Sequence, residues 1–264
     1  MKLATWNVNS LKVRLPQVID WLATNPVEVL CLQETKQQDA DFPQDDLLTA
    51  GYHSVFSGQK TYNGVAILSR TPISEVQIGI PNYEDEQKRV IAATIGDVRV
   101  VCIYVPNGQA VDSDKYYYKL GWLNALTEWL KAELLRYPQL LVLGDYNIAP
   151  EDRDVHDPIL WQGSVLVSEA ERIHFQHLLD LGLHDSFRLF EQAEKSFSWW
   201  DYRMMAFRRN HGVRIDHILL SDALVAECTS CIIDRVPRKW ERPSDHTPVV
   251  TTLFTGNAPV NLST

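Results

Sequence analysis

VIAATIGDVRVVCIYVP, residues 90–106, places two runs rich in Val and Ile on either side of Gly96-Asp97. β-Branched runs flanking such a pair signal a hairpin, because the tight turn needs a residue that tolerates positive φ. DKYYYKLGWLNALTEWLKAELLRY (114–137) follows as the longest helix candidate, and QLLVLGDYN (139–147) is a strand running into a polar turn. The alternation extends both ways. KLATWNV (2–8), VEVLCLQE (27–34), GVAILSR (64–70), GVRIDHILLS (212–221) and PVVTTLF (248–254) read as strands. LPQVIDWLA (15–23) has helical spacing, with Pro16 suited to a first turn. Ser168 to Glu171 forms a capping-box pattern opening the helix ERIHFQHLLDLG. No repeat, low-complexity tract or Gly/Ser linker interrupts the series. The sequence predicts an α/β fold, with one domain over residues 1–256 and a short tail at 257–264.

With 264 residues, 45% of them hydrophobic and 22% charged, the chain can bury a large core. No stretch approaches the roughly 18 apolar residues of a membrane span. The N-terminus MKLATWNVNS lacks the apolar region of a signal peptide. Four cysteines do not suggest a disulfide scaffold, so a cytoplasmic setting is expected. The net charge of −9 argues against a nucleic-acid partner when taken as a bulk figure. RMMAFRRNHGVR (203–214) runs the other way, with Arg203, Arg208, Arg209 and Arg214 and no acid. It reads either as a solvated loop or as a local phosphate-contacting patch.

The strand ends are unusual as a set. WNVNS, LQE, YVPN, GDYN, RID and SDH each place Asn, Asp, Glu, Tyr or His beside an apolar run. Each alone is an ordinary turn, surface or core residue; six together resemble the loop edge where α/β folds gather reactive groups. Carboxylates and amides without cysteine or paired histidines are hard oxygen ligands, suited to Mg²⁺ or Mn²⁺. Glu34 with Asn7 fits such a site. Asp145 and Asn147 share one turn and could hold an attacking water. His246 is a candidate acid or a phosphate-facing charge if Asp216 holds its ring. The sum describes metal-assisted hydrolysis of a phosphate ester. CTSC (228–231) is a lone CxxC and reads as structural; His174 and His177 read as a solvated helix face.

WNVNS, LQE, NGVAILS, YVPNG, GDYNIAP, FSWWDYR, GVRIDHILLS and PSDHTPV also occur in the order seen in exonuclease III-like apurinic/apyrimidinic endonucleases. The chain resembles that family over residues 1 to about 254, and through it the wider endonuclease/exonuclease/phosphatase superfamily. The resemblance implies a four-layered α/β sandwich: two mixed sheets face to face, helices outside. It implies Glu34 as principal metal ligand, Asn7 nearby, and Asp245 next to the metal directly or through water. Asn9 falls where some members have Asp. Asp145 would activate or orient the water with Asn147 aiding it. Tyr104 and Asn107 would contact the scissile phosphate, and His246, paired with Asp216, would stabilise charge on its oxygen. Trp199 and Val213 fall where the family lines its sugar pocket, and the Arg203–Arg214 segment, with Arg203, Arg208, Arg209 and Arg214, where it contacts DNA. The implied substrate is duplex DNA with an abasic site or blocked 3′ end, cut by a Mg²⁺-dependent monomer in which Mn²⁺ substitutes. GSVLVSEAER (163–172) departs from the family, lacking its Phe and Pro; Val165 or Leu166 could narrow the pocket and shift the balance between abasic incision and 3′ trimming. The alternatives are the same chemistry on RNA or a lipid headgroup, and a non-catalytic nucleic-acid-binding relative.

Overall fold

The computed structural model describes residues 1–254; the expected tail at 257–264 lies outside the described residues. Two six-stranded sheets form its centre. The first holds β1 (Lys2–Asn7), β2 (Val29–Gln33), β3 (His53–Ser57), β4 (Val65–Ser69), β11 (Cys228–Ile233) and β12 (Val249–Leu253), in the order β11-β12-β1-β2-β4-β3. The second holds β5 (Ser74–Ile78), β6 (Val90–Ile95), β7 (Val98–Tyr104), β8 (Leu140–Asp145), β9 (Leu183–Asp185) and β10 (Asp216–Ser221), in the order β5-β6-β7-β8-β10-β9. Both are mixed: β1 and β2 pair in parallel, as do β7 and β8, and the other pairings are antiparallel.

Three apolar layers hold the sandwich together. Between the sheets lie Val29, Cys31, Ile67, Ile91, Val100, Leu143 and Ile218. Outside the second sheet, α3 (Asp114–Arg136) and α5 (Glu169–Leu179) pack Trp122, Leu126, Leu130 and Phe175 against Val101, Val142 and Leu219. Outside the first, α1 (Leu11–Thr24) and α2 (Gln44–Thr49) pack Val18, Trp21 and Leu47 against Ala4, Leu30 and Leu68. Strands buried on both faces are continuous apolar runs, which is why β2, β4, β7 and β8 were legible. Three short helices, α4 (Pro158–Trp161), α6 (Ala206–Arg209) and α7 (Asp222–Val225), complete the α-helices of the described residues. None of the described helices is long and apolar enough to cross a membrane.

The hairpin forms as expected, with Gly96 at φ 60° between β6 and β7. Ser168 and Glu171 make both arms of the capping box at the start of α5. One detail differs. Pro16 sits inside α1, not in its first turn, because the helix begins at Leu11. Ser10 and Leu11 donate their N–H groups to Glu34 O and Thr35 O, so the chain after β2 holds the start of α1. CTSC lies in the edge strand β11, with Cys231 buried.

Candidate active site

Each sheet brings half of the polar residues to one edge of the sandwich. In the second sheet, Asp145 ends β8 and stands in register with Tyr104 on β7 and Asp216 on β10. Gly144 makes this possible: a Cβ there would lie 1.9 Å from Ile103 O on the neighbouring strand. In the first sheet, Asn7 ends β1 and Glu34 follows β2 directly. The backbone turns left-handed at Asn9 (φ 44°), Glu34 (φ 52°) and Asn147 (φ 49°), just past three strand ends. Non-glycine residues in that region are sparse and concentrate at functional sites.

Asn7 and His246 bridge the sheets. Asn7 donates through Nδ2 to Asp145 Oδ2 and Glu34 Oε1, both at 2.9 Å. Its side-chain Oδ1 accepts from the Asn9 N–H at 3.0 Å. Asn7 in this arrangement orients the Glu34 and Asp145 carboxylates through its amide nitrogen. His246 meets Asp216 Oδ2 through Nδ1 at 2.9 Å and approaches Asp145 Oδ2 through Nε2 at 3.7 Å. Glu34, Asp145 and His246 each bring a potential ligand atom within 4.8 Å of the others. Among the described residues no other group of three or more His, Cys, Asp or Glu does so, and neither CTSC nor His174 with His177 takes part.

The charges follow from burial and neighbours. Burial pushes the Asp145 carboxyl up to about 7; Asp216 adds to this, while His246 and Asn7 oppose it. Burial alone would lower His246, but Asp216 and Asp145 outweigh it and raise the imidazole to about 10. Burial, with Glu34 and Asp145 nearby, holds the Tyr104 phenol protonated well beyond its ordinary range. Asn147 donates its backbone N–H to Asp145 Oδ1 at 2.8 Å and accepts at Oδ1 from Asn107 at 3.1 Å. The YVPN and GDYN turns are thereby joined side to side.

Asp245 does not meet Glu34 directly. Its oxygens accept from Asn9 Nδ2 and from Trp199 Nε1, both at 3.0 Å. Asn9 passes the connection on through its Oδ1 to Lys36 Nζ at 2.5 Å, and Lys36 reaches Glu34 Oε2 at 2.9 Å. The PSDH turn is fixed from behind: Ser244 donates to Asn7 O at 2.7 Å, Arg14 reaches Pro243 O, and the buried Arg238 donates to Ser244 O. Lys36, Ser244 and Arg238 were not singled out from the sequence. Lys36 could have been, standing two residues past Glu34 on the same turn.

Outward from His246, a ladder of isolated bridges runs Trp199–His246, Trp199–Val213 and Val155–Val213. Trp199 is partly exposed. Val213 is fully buried, packed with Ala149, Val155, Leu166, Val167 and Ile215. The expected pocket-lining Val213 is thus covered, because the 163–172 loop supplies apolar bulk. The arginine segment divides. Arg203 is exposed but paired with Asp201 at 2.7 Å, and Arg208 and Arg209 are exposed on α6. Arg214 is buried, bonded to Asp154 at 2.6 Å and to Asp185 at 2.8 Å, so it is no phosphate contact. A cleft of about 850 Å³ beside α4 and α5, lined by Trp161, Val167, Glu169 and Arg172, contains none of the strand-end polar residues.

Residues 4–246 match the Endonuclease/Exonuclease/phosphatase family. The chain is 36% identical over 262 residues to exodeoxyribonuclease III of Haemophilus influenzae, covering 94% of this chain and 98% of that protein. Its structure resembles the 3′-5′ exonuclease NExo from Neisseria meningitidis, with a TM-score of 0.95, 49% identity, and coverage of 97% and 100% of the two chains. It also resembles an AP endonuclease from Archaeoglobus fulgidus, with a TM-score of 0.93, 40% identity, and coverage of 97% and 100%.

Proposed function

The chain belongs to the endonuclease/exonuclease/phosphatase family of metal-dependent hydrolases, and from that premise we propose a DNA repair nuclease that works mainly on 3′ ends. The convergence of Glu34, Asp145 and His246, with Asp216 behind the imidazole, carries the reading of phosphodiester hydrolysis. The donor set fits a hard cation: two carboxylates, one from each sheet, at one edge of the sandwich, with an imidazole already claimed by Asp216. Glu34 would be the principal ligand, with Asp145 near it; Mg²⁺ is the proposed ion and Mn²⁺ its substitute. A divalent cation there supplies Lewis-acid polarisation of the phosphate and offsets the gathered carboxylates.

The chain's own groups do the rest. Asp145, held by Asn7 and by the Asn147 N–H, orients the attacking water and takes its proton. Asn147 completes that turn. His246 keeps its proton at neutral pH because Asp216 and Asp145 face it, and it presents positive charge to a phosphate oxygen. Tyr104 and Asn107 contact the same phosphate. Asp245 acts through Asn9 and Lys36 on Glu34. Arg203, Arg208 and Arg209 meet the DNA backbone as a cytoplasmic monomer docks on duplex, positioning it without reading sequence.

The covered state of Val213 favours 3′-end processing over abasic incision, since a sugar turned out of the duplex needs that space. Similar structures include both a 3′-5′ exonuclease and an AP endonuclease, so the balance is decided by this chain's own pocket. The deciding experiment compares an abasic duplex with a 3′-recessed duplex at one salt concentration. Faster cleavage of the recessed end is expected. Equal, rapid cleavage of both would reject the closed-pocket reading.

A further inference from the structure

Lys119 is a lysine on the buried face of α3, between Tyr116, Leu123 and Leu126, with no exposed surface. A lysine is almost never fully buried without partners. Its three N–H protons are all spoken for. Nζ donates to Asn147 O at 2.6 Å, to Asn107 O at 3.3 Å and to the Glu171 carboxylate. Glu171, equally buried, fills its remaining capacity with the N–H of Leu166 at 3.0 Å, the N–H of Ser168 at 3.1 Å and the hydroxyl of Ser168 at 2.6 Å. Tyr116 closes the chain on Ser168 Oγ at 2.6 Å. One set of proton placements satisfies every bond: the Tyr116 hydroxyl donates to Ser168, and Ser168 donates to Glu171.

The acceptors are not arbitrary carbonyls. Asn107 and Asn147 belong to the two turns that meet at the site, and Leu166 to Ser168 form the loop that covers Val213. The YVPN turn, the 163–168 loop and Lys119 also come together at Gly108, where a Cβ would sit 3.1 Å from Val165 Cγ2 and 3.2 Å from Lys119 Cδ. We infer that the buried Lys119–Glu171 pair is a clamp that fixes the YVPN turn, the GDYN turn and the 163–168 loop relative to one another, making Lys119 a positioning residue for hydrolysis. It touches no reacting atom. Its work is to hold Asn107 and Asn147 in register and to keep the pocket wall where it is. The catalytic part of this rests on the nuclease reading above.

The test uses Lys119→Met and the double variant Lys119→Met/Glu171→Gln. The single variant leaves a buried carboxylate alone, which is strongly destabilising; the double variant removes that charge and is expected to fold more stably. Amide hydrogen exchange should quicken at least about tenfold at 105–108, 147–149 and 166–168 in both variants, with protection of central strands such as β8 kept. On a 3′-recessed duplex, kcat should drop by about 10²-fold in the double variant while KM changes little, as misplacement of aligned groups predicts. A folded double variant with unchanged loop exchange, or with normal kcat, would overturn the clamp. A wild-type protein that cuts no DNA would sink the nuclease reading, and the exchange result would still decide whether the clamp exists.

Discussion

His246 Nδ1 lies 2.9 Å from Asp216 Oδ2, and this bond crosses from the first sheet to the second. Asp216 therefore does two things: it fixes the imidazole tautomer and it keeps the ring charged. Asp216→Asn should bring the His246 pKa down from about 10 toward its ordinary 6.5 and lower kcat by about 10²-fold or more. An imidazole NMR titration reads the first and steady-state kinetics the second. The stability this raised pKa contributes is fully present below pH 6.5 and is lost as pH rises through about 10, so the variant should show a flatter thermal-stability profile across that range.

Asp145→Asn keeps the shape of the carboxyl and its bonds to the Asn147 N–H while removing the base. Turnover should fall at least about 10²-fold with DNA affinity retained, the scale of a lost general base. Near-normal kcat would remove Asp145 from the water's side of the reaction.

Metal dependence is the next outcome. EDTA should abolish cleavage, and Mg²⁺ or Mn²⁺ should restore it. Glu34→Gln should raise the Mg²⁺ concentration for half-maximal rate by about tenfold or more. Full activity in EDTA would exclude the hard-cation reading.

Leu166 holds φ 79° and sits buried behind Val213. Leu166→Gly relieves that backbone and opens space beside the pocket. Abasic incision should rise relative to 3′ trimming by about tenfold, the scale of a small change in pocket volume. An unchanged ratio of the two kcat/KM values would separate the loop from substrate choice.

His217 offers a test of stability. It accepts at Nδ1 from Arg214 at 2.9 Å and bonds Ile148 O through Nε2 at 2.8 Å, and burial beside Arg214 pushes its pKa down to about 4. The folded protein resists a proton that the unfolded chain takes up near pH 6.5, so stability is present above 6.5 and is lost as pH falls through about 4. The full difference is about 3 kcal/mol. His217→Gln should remove most of that slope in urea unfolding between pH 7 and about 4.

The fold was readable where burial leaves a pattern. The central strands are unbroken apolar runs, and the α5 cap is written as Ser168 with Glu171. The edge strands were missed: β3, β5 and β11 because few of their residues are buried, and β9 because it has three residues. At the site, the identity of strand-end residues pointed to Glu34, Asp145, Asp216 and His246, whereas their partners depend on how the sheets dock. Asn7 and Asp145 are 138 residues apart, so no local spacing could show that Asn7 turns its amide nitrogen to the carboxylates. Arg214 looked like surface charge because Asp154, which buries it, is 60 residues away. Lys119 carried a signal that went unread: a charged residue in the apolar register of a long helix.

The interleaving of the sheets bears on when the protein becomes dangerous. β1 is wedged between β2 and β12, so the first strand of the described residues is completed by the last. Asn7 must wait for Ser244 and Asp216 for His246, whichever half has already collapsed. A nascent or truncated chain lacks the imidazole and the turn that seats it, and holds no assembled cutting centre. Closure of β12 against β1 thus acts as a safety catch on a DNA-cutting enzyme, because the cutting centre is whole only when that pairing is made.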